Sequence, residues 1–356
     1  MPTERLNASR TSIAKAGSPR QSNMELLRIV AMAFVVILHI SYLVLPKIPS
    51  ETCVDEPVKA MLSAMSIDFT LVCIPLFALL SGWFGICLTA RRFCKFLYQC
   101  VFLTMMIIIA LAAFGVAPSA GDIVKTLLFF KTNWFIMSYI GLMIFAPVLN
   151  SFVEHSTKKA FTRFMALYML LACIWGTLYS LNYFAGGYSL FTLVLYYMLG
   201  RWLRFYGNPR WYRYGLILYI GLSLLSSVLT YLSARYAITL FWGNYLNPLI
   251  VSSSASLFLW FTTLKIPHNR TINAVSASMF AVYFIHTSPL IWNEWFIPFL
   301  RDINPEGSLG MQIALYSGVL ILIFTGSIIV DQLRIAVWNA IQNIIPNNFR
   351  LCQKTK

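Results

Sequence analysis

The sequence predicts an all-α integral membrane protein with about ten transmembrane helices and both termini in the cytoplasm. Of its 356 residues, 59% are hydrophobic and only 11% are charged, and the mean hydropathy is +0.71. A soluble domain of this length carries far more charge. The apolar residues also form continuous runs rather than alternating with polar residues, and this pattern favours helices over strands.

Ten apolar runs have about the length that a helix needs to cross a bilayer, roughly 20 residues. The first run has no small-residue cleavage site before Pro46, which favours a retained helix over a cleaved signal peptide. We expect a disordered cytoplasmic tail at residues 1–22, a ten-helix transmembrane domain at 23–335 and a cytoplasmic C-terminal tail at 336–356. The ten runs cover residues 24–45, 65–88, 97–116, 133–151, 163–181, 188–206, 213–232, 243–263, 273–292 and 309–331.

The basic residues determine the predicted orientation. The formal net charge is +15, which in a soluble protein would suggest a nucleic-acid partner. With the N-terminus placed inside, the loops predicted to be cytoplasmic collect the Lys and Arg residues, as the positive-inside rule requires. The excess therefore needs no nucleic acid to explain it. Only a minority of the 27 basic residues falls outside, namely Lys47, Lys59, Lys125, Lys131, Arg235 and Arg301.

Several classes of site have no support in the sequence. The seven cysteines are scattered and match neither a disulfide framework nor a metal-ligand spacing, so we expect no metal. No Walker loop, dinucleotide-binding glycine motif or Gly-x-Ser-x-Gly elbow occurs. The longest outer loops, at about 46–64, 117–132 and 293–308, are too short to fold as an enzyme domain. Any chemistry is therefore expected among the helices.

Arg28 and His39 are the most informative pair. They are eleven residues apart on the first predicted helix, so both side chains lie on one face, about 16 Å apart along the axis. Glu25 precedes Arg28 by three residues and can pair with it on that face. Taken alone, Arg28 also suits the role of a topology anchor whose charge extends to the lipid headgroups. Taken alone, His39 also suits a structural role in which it hydrogen-bonds a neighbouring helix. Placing an ionisable group at membrane depth costs free energy, so two such residues on one face favour a function. The pair therefore predicts that Arg28 binds an anion and that His39 acts as a general base.

A second group of candidates lies in the run at 65–88 and just after it. We expect Pro75 to kink a helix in its middle and Ser81, followed by glycine, to lie where helices pack closely. Ser81 is also a candidate substrate residue, as are Trp134 and His286. Arg91 and Arg92 follow at the predicted cytoplasmic end. As an arginine pair they can bind phosphates bidentately, or they can serve only as a topology signal.

Two further candidates lie in later runs. Trp134 opens the fourth predicted helix and fits either a substrate site or the outer aromatic belt of a membrane protein. His286 is a second intramembrane histidine, and a structural role fits it as well as a functional one.

At these residues the chain resembles integral-membrane acyltransferase family 3. The first helix of that family carries an arginine, ten residues and a histidine, preceded by an acidic residue, which Arg28, His39 and Glu25 match. The chain resembles most the branch that contains the enterobacterial common antigen O-acetyltransferase. Many members have glycine where this chain has Ile29 and a second phenylalanine where it has Ala78. Further matches are Pro75-Leu76-Phe77 to Ser81-Gly82, Trp134-Phe135 to Pro147-Val148, and Tyr197-Met198-Leu199-Gly200-Arg201.

The resemblance implies an O-acyltransferase of the bacterial inner membrane. Such an enzyme moves an acyl group, usually acetyl, from cytoplasmic acetyl-CoA to a sugar hydroxyl of a surface polysaccharide, for example an O-antigen, or of its lipid-linked precursor. The anionic donor would meet Arg28, Arg91 and Arg92, and His39 would deprotonate the acceptor hydroxyl, directly or by relay. Glu25 is expected to be catalytic together with His39. Its partners would be the lipid bilayer, acetyl-CoA and the glycan acceptor.

A transporter or flippase of a lipid-linked glycan is the alternative from another class. In that case His39 and His286 would relay protons. Such proteins usually show internal repeats with broken helices at matching positions, and the sequence shows no such repeat. A non-catalytic membrane scaffold would leave the pair of Arg28 and His39 unexplained.

Overall fold

A computed structural model describes residues 20–44, 50–127, 133–177, 184–238, 243–302 and 309–344. Every regular element in these residues is a helix, which confirms the predicted all-α class. The predicted N-terminal tail lies outside the described residues except for its last three, and the predicted C-terminal tail lies outside them from residue 345 onward. The helices are α1 Ser22–Val44, α2 Ser50–Asp55, α3 Pro57–Thr70, α4 Cys73–Phe84, α5 Ala90–Ala113, α6 Ala120–Leu127, α7 Trp134–His155, α8 Lys158–Thr177, α9 Leu190–Tyr206, α10 Gly215–Arg235, α11 Pro248–Thr263, α12 Arg270–Ala277, α13 Met279–His286, α14 Pro289–Ile291, α15 Ile297–Asp302 and α16 Leu309–Ile344, with 3₁₀ turns at Ala185–Gly187 and Pro209–Tyr214 and a π-helical turn at Trp292–Phe296.

The helices are those of a multi-pass membrane protein. Within the described ranges, six stretches are long and apolar enough to cross a membrane, and Pro248–Thr263 is a shorter apolar helix. The number of ten spans and the cytoplasmic position of both termini stay predictions. The six stretches are Ser22–Val44, Pro57–Phe84, Ala90–Ala113, Trp134–His155, Pro209–Arg235 and Gly310–Ile341.

The run predicted as one span at 65–88 is divided between two helices. α3 ends at Thr70 and α4 begins at Cys73, so a short turn separates them. Pro75 consequently lies in the first turn of α4, where a proline disrupts no intrahelical hydrogen bond. The predicted interruption at Pro75 is therefore present, but as a short turn at Leu71 and Val72 between two helices and not as a bend within one helix. Leu71 is the residue whose carbonyl group Pro75 would crowd in a continuous helix.

The helices form two compact units. The first takes in α1–α4 and α7–α12, and the second takes in α5, α6 and α13–α16. In the first unit, α4 and α9 meet through glycines. A Cβ on Gly82 would lie 2.1 Å from the carbonyl oxygen of Tyr197, and one on Gly200 would lie 2.5 Å from the carbonyl oxygen of Leu79. Only glycine permits backbones to approach so closely, and the contact fixes the end of α4 against the end of α9.

Hydrogen bonds join α3 to α1 and to α10 in the first unit. The hydroxyl groups of Ser41 in α1 and Ser66 in α3 lie 2.6 Å apart. On the other side, the Tyr219 hydroxyl of α10 donates to the carbonyl oxygen of Phe69 at 2.7 Å. Since a polar group in an apolar interior needs a partner, these bonds fix the register of three neighbouring helices.

In the second unit the long helix α16 contacts α5 and α13. Asp331 is fully buried and accepts hydrogen bonds from Arg334 at 2.6 Å and from Gln99 of α5 at 3.4 Å. Gln332 donates to the Ser278 hydroxyl at 3.1 Å. The paired charges neutralise each other inside the helix, and α16 continues past residue 331, where the predicted span ends, to Ile344.

Candidate functional site

Glu25 and Arg28 form a charged cluster at the start of α1. Glu25 Oε2 accepts hydrogen bonds from Arg28 Nη1 and from the Ser276 hydroxyl of α12, which confirms the predicted pairing of the two charges. Arg28 Nη1 also lies 3.4 Å from the Ser276 hydroxyl oxygen. The glutamate side chain is 11% exposed and the arginine side chain 32%. The carboxylate is therefore enclosed, while part of the guanidinium remains accessible.

Further hydrogen bonds hold the start of α1 in place. The Ser22 hydroxyl lies 3.2 Å from Asn273 Oδ1, and Arg20 Nη1 donates to the Asn273 carbonyl oxygen at 3.0 Å. Asn23 Nδ2 donates to the carbonyl oxygen of Phe261 at the end of α11, also at 3.0 Å. The end of the helix that carries Arg28 is thus fixed against α11 and α12, so the guanidinium has a defined position.

His39 lies on the same unbroken helix as Arg28, as the sequence predicted. At about 1.5 Å per residue, the two side chains start roughly 16 Å apart along the axis of α1. The imidazole is half-buried, and Ser41, two residues later, contacts Ser66 of α3. A cation near one end of a helix and an ionisable base deeper along it can engage two ends of one long substrate.

Asp68 is a buried acid that the sequence analysis passed over. It lies in α3 two residues after Ser66, is 1% exposed, and its Oδ2 accepts a hydrogen bond from the Thr230 hydroxyl at 2.9 Å. The available signal was an aspartate within an apolar run, because an ionisable residue at membrane depth is a functional candidate by default. It belongs to the part of α3 that contacts α1 through Ser66 and Ser41.

Ser81 and Trp134, two predicted substrate residues, belong to the first unit. The Ser81 hydroxyl donates to the Phe77 carbonyl oxygen within α4 at 2.9 Å and lies 3.5 Å from the Tyr139 hydroxyl of α7. Trp134 begins α7, and its ring centroid lies 5.1 Å from that of Tyr188 and 6.1 Å from that of Tyr245. These three rings lie beside the beginning of α9 and form an aromatic cluster.

Arg91, Arg92 and His286, the other predicted site residues, belong to the second unit. Arg91 and Arg92 are exposed in the first turn of α5, where the Thr89 hydroxyl caps the helix by accepting from the Arg92 backbone N–H at 3.3 Å. His286 is 3% exposed, its Nδ1 donates to the Val282 carbonyl oxygen at 2.5 Å, and its ring packs on Phe296. Their roles stay predictions.

Arg201 ends one of the sequence matches to the family, but the sequence analysis gave it no role in the site. It is 2% exposed, although it carries a full charge. Its guanidinium lies 4.9 Å from the centroid of the Phe205 ring. A signal was present, since this arginine directly follows Gly200, the glycine at which α9 packs against α4.

The chain matches one known family along most of its length. The family model described as an acyltransferase domain matches residues 21–331. Neither the curated proteins nor the solved structures that were compared give a match. The matched range includes Glu25, Arg28 and His39, the residues that first pointed to the family, while the branch of the enterobacterial common antigen enzyme stays a prediction. The chain therefore belongs to membrane acyltransferase family 3.

Proposed function

We propose that this membrane acyltransferase moves an acetyl group from cytoplasmic acetyl-CoA to a sugar hydroxyl of a surface polysaccharide or of its lipid-linked precursor, in the inner membrane of a bacterium. The observation that carries the proposal is the position of Arg28. It is held by Glu25 and Ser276 near one end of the helix that carries His39. Membership of the family supports the transfer of an acyl group.

Arg28 is the proposed anchor of the acyl donor. Coenzyme A carries several phosphate groups, and a guanidinium binds phosphate through charge-assisted, bidentate hydrogen bonds. For Glu25, which the sequence predicted to be catalytic, we propose a positioning role, because its carboxylate holds Arg28 and its side chain is only 11% exposed. With the phosphates held near Arg28, the flexible arm of the donor can carry the thioester along α1 towards His39.

His39 is the proposed general base. It accepts the proton of the acceptor hydroxyl while that oxygen attacks the carbonyl carbon of the thioester. The C–S bond then breaks, the sulfur leaves with the bonding electrons, and it takes the proton back from the imidazole. The products are an acetylated sugar and a thiol, so the histidine ends the cycle neutral and the step requires no metal.

The aromatic cluster of Trp134, Tyr188 and Tyr245 is the proposed platform for the acceptor. Aromatic faces bind the apolar faces of sugar rings and leave the hydroxyl groups available. The cluster lies beside the beginning of α9, and the donor would enter at the helix ends where Arg28 lies. Roles for Ser81 and His286 in binding the acceptor, and for Arg91 and Arg92 in binding the donor, remain further expectations.

Steady-state kinetics of the purified full-length enzyme in liposomes test these roles. Arg28→Ala is expected to raise the KM for acetyl-CoA, and His39→Ala to lower kcat by about 10²- to 10⁴-fold, the usual contribution of a general base. His155→Ala is the matched control, because this histidine is exposed at the end of α7. A folded His39→Ala enzyme with the wild-type kcat would contradict the assignment. A wild-type protein that moves a lipid-linked glycan across the membrane without acetylating it would support the transporter alternative.

A further inference from the structure

Two arginines lie one turn apart at the end of α9. Arg204 Nη1 donates to the Trp83 carbonyl oxygen at 2.7 Å, and its guanidinium lies 5.7 Å from the centroid of the Trp83 ring. Arg201 is more deeply enclosed, and a Cβ on Gly85 would lie 2.9 Å from its Nη1. The end of α4 therefore forms one wall around both cations.

Arg201 lacks the partners that a buried guanidinium normally has. Its Nε and Nη2 atoms are buried, and the residues that the structure describes provide no hydrogen-bond acceptor for either. Glu154 influences it electrostatically, but this carboxylate is exposed. Burying an unpaired charge is costly, and the neighbouring charge of Arg204 adds repulsion. An anion between helix ends would satisfy both nitrogens and relieve the repulsion.

The neighbouring polar groups already have partners of their own. The Tyr197 hydroxyl donates to Asn150 Oδ1 at 2.6 Å and accepts from the Ile86 backbone N–H at 3.1 Å. Asn150 Nδ2 donates to the Ile86 carbonyl oxygen at 2.9 Å. This closed network makes the wall beside Arg201 rigid and leaves the guanidinium as the group with unused donors.

The arginine pair lies at the same end of the first unit as Arg28. The Trp83 ring, which Arg204 contacts, packs on Phe258 of α11 at 5.4 Å between centroids. One turn later in α11, the Phe261 carbonyl oxygen accepts the hydrogen bond from Asn23 at the start of α1. The contacts thus run continuously from the arginines of α9 to the helix start that carries Arg28.

We infer that Arg201 binds a phosphate group of a substrate as part of an anion site shared with Arg204. The planar guanidinium presents two donors that match phosphate oxygens, which a buried lysine would not do. The inference rests on the proposed function, because coenzyme A carries a diphosphate and a separate ribose phosphate. One of these can be held by Arg28 and another by Arg201. A lipid-linked sugar carries the same diphosphate chemistry.

Binding to the purified full chain in nanodiscs tests the inference, with acetyl-CoA, a polyprenyl diphosphate and inorganic pyrophosphate as probes. Arg201→Met is expected to weaken the binding of the phosphate-bearing substrate by about ten- to a hundredfold, because one charged hydrogen-bonding group usually contributes a factor of that size to binding. Inorganic pyrophosphate is expected to compete for the wild-type site. Arg210→Met is the matched control, since Arg210 is an exposed arginine in the turn after α9.

The thermal stability of the same variants separates binding from folding. Because methionine replaces an unpaired buried charge, Arg201→Met is expected to melt at the wild-type temperature or above it. Selective loss of acetyl-CoA binding assigns the site to the donor, and selective loss of polyprenyl diphosphate binding assigns it to the acceptor lipid. Unchanged binding of all three probes, or a lower melting temperature together with a general loss of binding, would overturn the inference.

Acetyl transfer by the same proteins separates this inference from the proposed function. If the wild-type protein transfers no acetyl group but binds pyrophosphate through Arg201, the phosphate site stands and the proposed function fails. If Arg201→Met transfers acetyl groups with wild-type KM values for both substrates, the proposed function stands and the phosphate site fails.

Discussion

Replacing Gly82 by alanine tests whether the contact between α4 and α9 sets the geometry of the site. The new Cβ would lie 2.1 Å from the Tyr197 carbonyl oxygen, whereas ordinary van der Waals contact begins at 3.4 Å. The difference of about 1.3 Å must come from separating the two helices, because the obstacle is backbone and cannot rotate away. We expect a loss of about 3 kcal/mol of stability, the upper part of the usual range for overpacking.

The assay is thermal unfolding of the purified protein, followed by measurement of acetyl transfer. A loss of that size corresponds to a fall in Tm of about 6–10 °C for a unit of this size. The rate of acetyl transfer by the folded variant is expected to fall by as much as about a hundredfold, because displacing a positioned catalytic group by roughly 1 Å changes the rate by that order. Gly200→Ala is expected to behave similarly, because its Cβ would lie 2.5 Å from the Leu79 carbonyl oxygen.

Gly221→Ala is the matched control for this change. It lies in α10, an added Cβ would meet no atom within 4 Å, and alanine favours a helix over glycine by about 1 kcal/mol. The control is therefore expected to keep or raise Tm. If Gly82→Ala and Gly221→Ala unfold at the same temperature, the reasoning about the close contact is refuted.

Three further substitutions test other parts of the account. Glu25→Gln removes the charge that positions Arg28, and because that arginine is partly exposed we expect a cost of about 1 kcal/mol, or a roughly fivefold higher KM for acetyl-CoA in steady-state assays. An unchanged KM would show that the carboxylate does not position the arginine. Thr230→Val removes a buried hydrogen bond to Asp68 and is expected to cost about 1–3 kcal/mol, measured as a lower Tm. A wild-type Tm would mean that Asp68 has another sufficient partner. Trp134→Ala is expected to raise the KM for the sugar acceptor and leave that for acetyl-CoA unchanged, and an equal rise for both would contradict its assignment to the acceptor.

The local features of the site followed from the sequence. Glu25 and Arg28 are three residues apart, so helix geometry alone brings them together, and the structure has this pair. The position of Arg28 and His39 on one helix followed in the same way from an unbroken apolar run. Features within one or two turns depend on spacing, and spacing is visible in a sequence.

The tertiary features could not be predicted in this way. Ser276, which completes the cluster around Glu25, is 251 residues away in the chain. The unpartnered nitrogens of Arg201 become evident only when α4 packs against α9. The separation into two helices before Pro75 was not predicted, because apolar residues continue across the turn, and hydropathy does not distinguish one long helix from two short ones. Asp68 had a visible signal, but its enclosure beside Thr230 depends on the packing of α3 against α10.

Mass spectrometry of surface glycans tests the central claim most directly, in cells that express the wild-type chain, His39→Ala or His155→Ala at equal levels in the membrane. The account predicts an acetyl group on the glycan with the wild-type and His155→Ala proteins and its loss with His39→Ala. Full acetylation by a correctly inserted His39→Ala protein would contradict the claim that this histidine is the base of an acetyl transfer.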